Sequence, residues 1–322
     1  MTMFTVLNKE SAVMTVARRC AVDRVPIFGS AAWVLGAWRH LPELGSPAVL
    51  RAGDRSGTWL LPLSIRRCRQ TMTISLAAAP LGDTHRLVGP SRPLPEGLGA
   101  RALDCLLEAC GTGGSVELDA LAITDALGRA LEAGDAGQWK VEREPSPVIP
   151  VTRVAVSPSH DKRWRRLGHQ GRLAVTVVAG SELRAVIIED FVRGRLARWH
   201  AQGRLDQLGQ AERLPGFPRF LAQAASVLAC AGQARLWMLL VDGTPAAQDL
   251  HLGPVSAPLL YMRDYDLRFA PWSAGRLLLE ATLLRLRAAG VERLETGRGD
   301  EPYKMMAGGG GEYVLNARAA RH

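Results

Sequence analysis

Lysine is nearly missing from this 322-residue chain, with four lysines against 36 arginines. Genomic G+C bias produces such a ratio, so the choice of arginine carries little functional weight by itself. Long apolar runs are missing as well. The best candidate for a membrane span, 274–286, is interrupted by Arg276, Glu280 and Arg285, and a span needs about 20 mostly apolar residues. The stretch 1–22 is broken by Lys9, Glu10, Arg18 and Arg19. It does not read as a basic-then-apolar leader, and the expected location is the cytoplasm. The five cysteines (Cys20, Cys68, Cys105, Cys110, Cys230) are odd in number and scattered, and no His lies near Cys105 and Cys110. That is not zinc spacing, so neither a metal nor a disulfide is expected. Apolar residues make up 47% and charged residues 22%, which excludes a disordered chain and suits two ordinary domains.

Acidic residues are missing from two particular places. None falls between Asp161 and Glu182, where Lys162, Arg163, Arg165, Arg166, His169 and Arg172 stand. Positions 162, 165, 166, 169 and 172 follow helical spacing, so a helix over 160–172 has one strongly cationic face. Gly168 and Gly171 weaken that helix. The face either meets an anion or is merely solvated, with Trp164 off it as a core anchor. The second place is the start of an apolar helix predicted over 274–289. Ser273 suits its N-cap, yet the first turn holds only Arg276, a cation beside the positive end of the helix dipole. That costs an isolated helix about 0.3–1 kcal/mol. It becomes favourable when an anion sits on the free N–H groups there. A helix start open to an anion and flanked by strands suggests a phosphate-bearing donor; an arginine bent back into solvent is the other reading.

Net charge is +9 and unevenly spread: residues 1–150 hold 16 basic and 15 acidic residues, and 151–322 hold 24 and 16. The asymmetry points to an anionic partner for the second half: coenzyme A, an anionic acceptor or RNA. In the first half the pattern predicts a helix over 30–41 and a hairpin of 48–52 and 58–66 turning at Gly53–Gly57. A strand over 70–77, a proline-bearing loop over 82–99 and a helix over 100–109 follow. Next come a strand over 115–121, a helix over 125–132 capped by Thr124, and strands over 139–143 and 148–154. Pro145, Pro147 and Pro150 mark the expected boundary between domains 1–150 and 151–322. The second half reads as the basic helix, a strand over 173–179, and helices over 187–202 and 218–231. A hairpin of 236–241 and 245–252 turns at Asp242-Gly243-Thr244, then come a strand over 259–263 and the 274–289 helix. Strands over 292–296 and 313–317 finish its sheet. Helix, hairpin, strand, helix, strand thus occurs in both halves as a coarse internal repeat.

Three motifs carry a resemblance: Asp242-Gly243 at a strand end, Ser273-Ala274-Gly275-Arg276-Leu277-Leu278, and the ending Gly297-Arg298-Gly299-Asp300-Glu301-Pro302-Tyr303-Lys304. Together they resemble the C-terminal domain of the CelD/BcsL-like branch of the GNAT acyltransferases. The basic run 162–172 and the Arg198-Trp199 pair are similar to that branch too. The resemblance covers 155–307 well and the first half loosely. The chain departs from it at Arg195, where the family often has a histidine three residues before the Arg-Trp pair.

The resemblance implies an α/β protein of two tandem GNAT-like domains, each a mixed twisted sheet flanked by helices. It implies an N-acyltransferase using an acyl-coenzyme A, acetyl-coenzyme A foremost. The acceptor would be an amine, or less readily a hydroxyl, of a small molecule in a cleft between the halves. The donor's pyrophosphate is expected on the backbone at Ser273, Ala274, Gly275, Arg276 and Leu277. Tyr303 is the candidate acid for the leaving thiolate, and Asp300 or Glu301, with Glu295 behind them, the base for the acceptor's proton. Lys304 is a phosphate contact or a solvated charge. Asp83 and His85, in the loop of the first half, are acceptor contacts or loop hydrogen-bonders. Arg163 and Arg166 of the basic helix are also candidate contacts, and Trp199 reads as packing. Two other functions stay open. A Fem-like aminoacyl-tRNA-dependent transferase shares the paired architecture and suits the basic second half; a non-catalytic binding subunit is the third reading.

Overall fold

The protein is described as a computed structural model over residues 3–20, 25–54, 57–69, 71–89, 97–134, 137–153 and 159–321. Arg55 and Ser56 of the expected first turn, Gln70, Val154, and Pro90, Pro93 and Pro95 of the expected loop lie outside the described residues. Among those described, the strands are β1 (Met3–Leu7), β2 (Ser46–Asp54), β3 (Gly57–Cys68), β4 (Thr71–Leu76), β5 (Ser115–Ala122), β6 (Lys140–Pro145), β7 (Val148–Pro150), β8 (Leu173–Ala179), β9 (Ala234–Val241), β10 (Thr244–Leu252), β11 (Leu259–Tyr265), β12 (Arg293–Glu295) and β13 (Tyr313–Ala320). The helices are α1 (Lys9–Arg19), α2 (Ala31–His40), α3 (Leu98–Cys110), α4 (Ala126–Glu132), α5 (His160–Gly168), α6 (Ala185–Ala201), α7 (Phe217–Cys230), α8 (Ala274–Ala288) and α9 (Pro302–Met306).

Two mixed sheets result, each flanked by helices. The first has the order β1-β2-β3-β4-β5-β13-β6, with β4 and β5 parallel. Alternation along its strands feeds two cores. Leu50, Leu61 and Leu63 pack with Leu103 and Leu106 of α3. Val49 and Leu60, one residue out of phase, pack with Val16 of α1 and Val34 of α2. Both faces are therefore buried, which is why β3 reads as a nearly unbroken apolar run. Each fully buried leucine contributes about 1.5–3 kcal/mol relative to exposure.

The second sheet has the order β7-β12-β11-β10-β9-β8. Its face toward α8 packs Trp237, Leu239 and Ala247 against Ala274, Leu277 and Leu278. Strand β11 is irregular in two ways. Leu250 pairs with Met262 and His251 with Leu260, so Tyr261 is an extra residue, a bulge that re-aims the side chains beyond it. Further, β11 meets the parallel strand β12 only at Leu259↔Glu295. From Leu260 onward the two strands part, and that edge of β11 carries no strand among the described residues.

Several expectations are corrected. Strand β13 does not finish the second sheet; it inserts between β5 and β6 of the first, with Leu315 and Ala317 in that core. Conversely, β7 pairs with β12 in the second sheet. The compact units are accordingly discontinuous: Met1–Pro145 with Gly209–Phe220 and Tyr313–His322, and Ser146–Leu208 with Leu221–Glu312. Asp125, not Thr124, caps α4, its carboxylate accepting from the Leu127 N–H at 3.0 Å. The strand at Val148 stops at Pro150 and becomes a 3-10 turn. Helix α5 ends at Gly168, because the Arg172 N–H and C=O are taken by Asp242 as the chain enters β8. Strand β1 and helices α1 and α9 have no counterpart among the expected elements.

Candidate active site

The start of α8 is set by a succession of turns. The Asp266 carboxylate accepts from the Arg268 N–H at 2.8 Å and opens a 3-10 turn over Leu267–Trp272. Ser273 follows at φ 58°, with its N–H donating to Ala270 O at 2.9 Å. Its hydroxyl makes no capping bond, which corrects the N-cap expectation. Side-chain capping requires extended backbone at the cap residue, and Ser273 is left-handed. The N–H groups of Ala274, Gly275 and Arg276 therefore open the helix with no cap side chain on them. Arg276 does not wait beside them, since its Nε donates to Glu280 Oε1 at 3.0 Å, one turn further on. Leu277 is fully buried in the core, leaving only its backbone to a ligand.

A cavity of about 460 Å3 opens at this helix start. Its walls are β11 from Tyr261 to Tyr265, the turn Ser273–Arg276, the segment of α6 around Trp199, and Glu301 with Tyr303. The volume suits a small-molecule or cofactor site.

Behind one wall lies a buried ion pair that sequence reasoning missed. Asp249 on β10 is fully buried, and Arg263 on β11 grips it with two bonds of 2.8 and 3.0 Å. The same guanidinium donates to the Gly275 carbonyl at 2.6 Å, so it ties the sheet to the start of α8. It also lies 4.7 Å from the centroid of the Tyr303 ring. Burial pushes the Asp249 carboxyl up, and Arg263 opposes the shift. Alternation turns the next residue, Asp264, to the opposite face, where Arg198 of α6 holds it at 2.5 Å. Burial raises that carboxyl too, against the pull of Arg198. The available signal was a charged residue inside the apolar strand Ala246–Leu252 and an arginine in the strand beside it.

The Gly297–Lys304 ending folds around its own lysine. Gly297 and Gly299 adopt φ of 69° and 92°, which aims carbonyls inward as only glycine does without strain. Lys304 Nζ, on a side chain 2% exposed, donates to the carbonyls of Gly297 (3.2 Å), Arg298 (2.6 Å) and Gly299 (3.2 Å) and pairs with Glu301 Oε2 at 2.7 Å. Its three protons are thus fully engaged, which corrects both expected roles, phosphate contact and solvated charge. Pro302 starts α9 and sets Tyr303, half-buried, into the cavity wall. Glu301 lines the cavity as well, whereas Asp300 is exposed and is not among the lining residues.

The remaining candidates lie elsewhere. Arg163 donates to both oxygens of Glu280, at 2.8 and 3.1 Å, and His160 Nδ1 sits 2.6 Å from the same carboxylate. Although burial works the other way, these donors and Arg276 hold the Glu280 carboxyl below its ordinary value. Arg163 is therefore a docking residue between α5 and α8 rather than a substrate contact. Arg166 is exposed and outside the cavity lining. Asp83 and His85 belong to the first unit. His85 is buried, with its N–H on Ala120 O and its C=O accepting from Ala122 N, which fixes a loop against β5. Among the described residues no group of three or more His, Cys, Asp or Glu side chains is placed to hold a metal ion. No helix there is long and apolar enough to cross a membrane.

Residues 159–305 match the family model described as an acetyltransferase (GNAT) domain. No curated protein matches the chain. Among solved structures, FemX superposes with a TM-score of 0.59 at 9% identity, covering 98% of this chain and 96% of that one. The C-terminal domain of a proposed lysylphosphatidylglycerol synthetase from Agrobacterium fabrum gives 0.57 at 14% identity, covering 97% and 91%. A conserved protein of unknown function from Bacteroides thetaiotaomicron gives 0.56 at 10%, covering 99% and 100%. At these identities the likeness speaks to fold alone. The matched segment contains the whole cavity lining, so the likeness to a GNAT acetyltransferase domain falls on the part of the chain that holds the cavity.

Proposed function

We propose that the chain transfers an acyl group from an acyl-coenzyme A, acetyl-coenzyme A foremost, to an amine of a small molecule. The observation that carries this reading is the uncapped start of α8 opening onto a cavity beside the free edge of β11. Backbone N–H groups at a helix start bind phosphate through hydrogen bonds and the helix dipole. The free edge of β11 offers peptide groups to the amides of the pantetheine arm, as an added strand would. The acceptor's neutral amine attacks the thioester carbonyl, and the C–S bond breaks as the tetrahedral intermediate collapses. Tyr303 is the group suited to give its proton to the departing thiolate. Glu301, or water beside it, takes the proton lost by the amine. Arg263 holds the ring of Tyr303 and the Gly275 carbonyl in one geometry.

Calorimetry with coenzyme A tests the donor site. A Cβ on Gly275 would meet nothing closer than Tyr265 Cδ1 at 3.9 Å, so Gly275→Asp fits and acts by charge. We expect Gly275→Ala to bind coenzyme A and Gly275→Asp to lose it. Equal binding by Gly275→Asp and the parent would remove the assignment. An aminoacyl-tRNA donor is the alternative: Glu280 occupies Arg163 and His160, but Lys162, Arg165, Arg166, His169 and Arg172 of the cationic face stay exposed. A salt-dependent gel shift with bulk tRNA would favour it.

A further inference from the structure

We propose that Asp249 is a positioning residue: through Arg263 it fixes the Tyr303 ring and the opening amides of α8 in one rigid arrangement. The inference rests on the donor reading above and adds a residue buried away from both substrates.

Asp249 and Arg263 are direct cross-strand neighbours on β10 and β11. The Asp249 side chain is fully buried, whereas that of Arg263 is 18% exposed and reaches the cavity wall. The carboxylate accepts from Nε and Nη2 of the one guanidinium, a bidentate fork that stops the plane from turning. A buried ion pair adds little net stability over apolar residues of like volume, so burial alone gives no reason for this one. What the guanidinium holds does.

Nη2 carries two protons, and besides Asp249 it donates to the Gly275 carbonyl. That carbonyl shares a planar peptide unit with the Arg276 N–H. Holding the oxygen therefore also aims one of the donors at the α8 opening. The same guanidinium lies over the Tyr303 ring, a cation–π contact, and its charge stabilises the phenolate left when the hydroxyl gives up its proton. Without Asp249 the guanidinium is free to turn toward the cavity it borders. Asp249 thus decides where Arg263 sits, and Arg263 decides where the acid and the phosphate-binding amide sit.

Asp249→Asn tests this, since the amide keeps the shape and loses one acceptor of the fork. Incorporated 3-fluorotyrosine gives a readout that needs no substrate. Of the four tyrosines, Tyr303 is assigned through Tyr303→Phe, and Tyr313, on β13 of the first sheet, serves as the reference. We expect Asp249→Asn to move the Tyr303 fluorine resonance and leave that of Tyr313 in place. In thiol release from acetyl-coenzyme A, turnover should fall by about 10²-fold, the scale for a misplaced catalytic group. Coenzyme A affinity by calorimetry should fall by no more than about tenfold. Tyr303→Phe should cost far less in the Asp249→Asn background than in the parent, whereas independent roles would add. Should Asp249→Asn fail to fold, Asp249→Leu with Arg263→Met replaces the pair by apolar side chains of similar total volume. That variant should unfold near the parent's urea midpoint and still lose turnover to the same extent. An unmoved Tyr303 resonance, additive costs, or parent-like turnover in the apolar pair overturns the proposal. A parent that binds no coenzyme A sinks the donor reading instead, and the fluorine spectra still decide whether Asp249 positions Tyr303.

Discussion

The residue that changes most between sequence and structure is Lys304. As a charge in a motif ending it looks like a phosphate contact, yet it is the nucleus about which the Gly297–Gly299 turn is wound. Lys304→Met would leave those carbonyls without their donor and Glu301 without its partner. Lys304 is buried but Glu301 is 53% exposed, so the cost lies mainly in the carbonyls left unsatisfied, about 1–3 kcal/mol, and we expect a loss of that size in chemical denaturation. Loss of under about 1 kcal/mol, the scale of exposed pairs, would contradict the buried geometry. Tyr303 depends on the same turn for its position. Tyr303→Phe keeps the ring beneath Arg263 and removes only the hydroxyl. Coenzyme A affinity should then hold while turnover falls by roughly 10²–10⁴-fold. Equal turnover would make the tyrosine structural and leave catalysis to positioning and backbone contacts.

At the scale of elements, β10 carries two buried polar groups on its α8 face. Asp249 is paired with Arg263, but neither ring nitrogen of His251 has a hydrogen-bond partner among the described residues. Burial, with Arg235 and Arg263 nearby, pushes its pKa down to about 3. The unfolded chain therefore takes up this proton first as pH falls below about 6.5, the ordinary value for histidine. The contribution of neutral His251 is intact above that pH and drains away toward pH 3, by up to about 1.4 kcal/mol per pH unit. His251→Leu should flatten the stability profile between pH 6 and 4 relative to the parent, by urea titration at each pH; parallel profiles would show that the imidazole titrates freely. Helices α5 and α8 meet through a comparable device, in which one glutamate gathers two arginines and a histidine. Periodicity makes the cationic face of α5 legible, but Glu280, 120 residues beyond His160, reads in the sequence only as an interruption in an apolar helix.

At the scale of the whole molecule, the two units exchange segments, and the last strand completes the first sheet. Strand β13 pairs with both β5 and β6. A fragment of residues 1–150 would therefore leave two strand edges and the Leu315 pocket uncovered, a pattern that favours aggregation. We expect that fragment to be insoluble or to lack cooperative unfolding by circular dichroism; a soluble, cooperatively folding fragment would refute the interior role of β13.

The sequence by itself determined most elements, because their spacing of apolar residues, glycines and prolines is local. The β8 strand and the start of β13 stand where the pattern puts them, and the α8 start with its missing acids is legible from composition alone. Its proposed consequence for function came from motif resemblance. Only the tertiary structure decided which sheet β13 joins, since an alternating apolar strand fits either one and the choice lies in contacts nearly 200 residues apart, such as Asn316 with Ala120. It also decided the partners of every charge. Arg163, Arg276 and Lys304 look alike in sequence as candidates for an anion, and each is claimed by a group inside the protein. Arg195, in sequence only a departure from the family pattern, and Arg204, part of no motif, reach the cavity because a helix face and one left-handed glycine, Gly203, bring them to the Trp199 indole. A charge's partner depends on distance in space, and no local pattern encodes it.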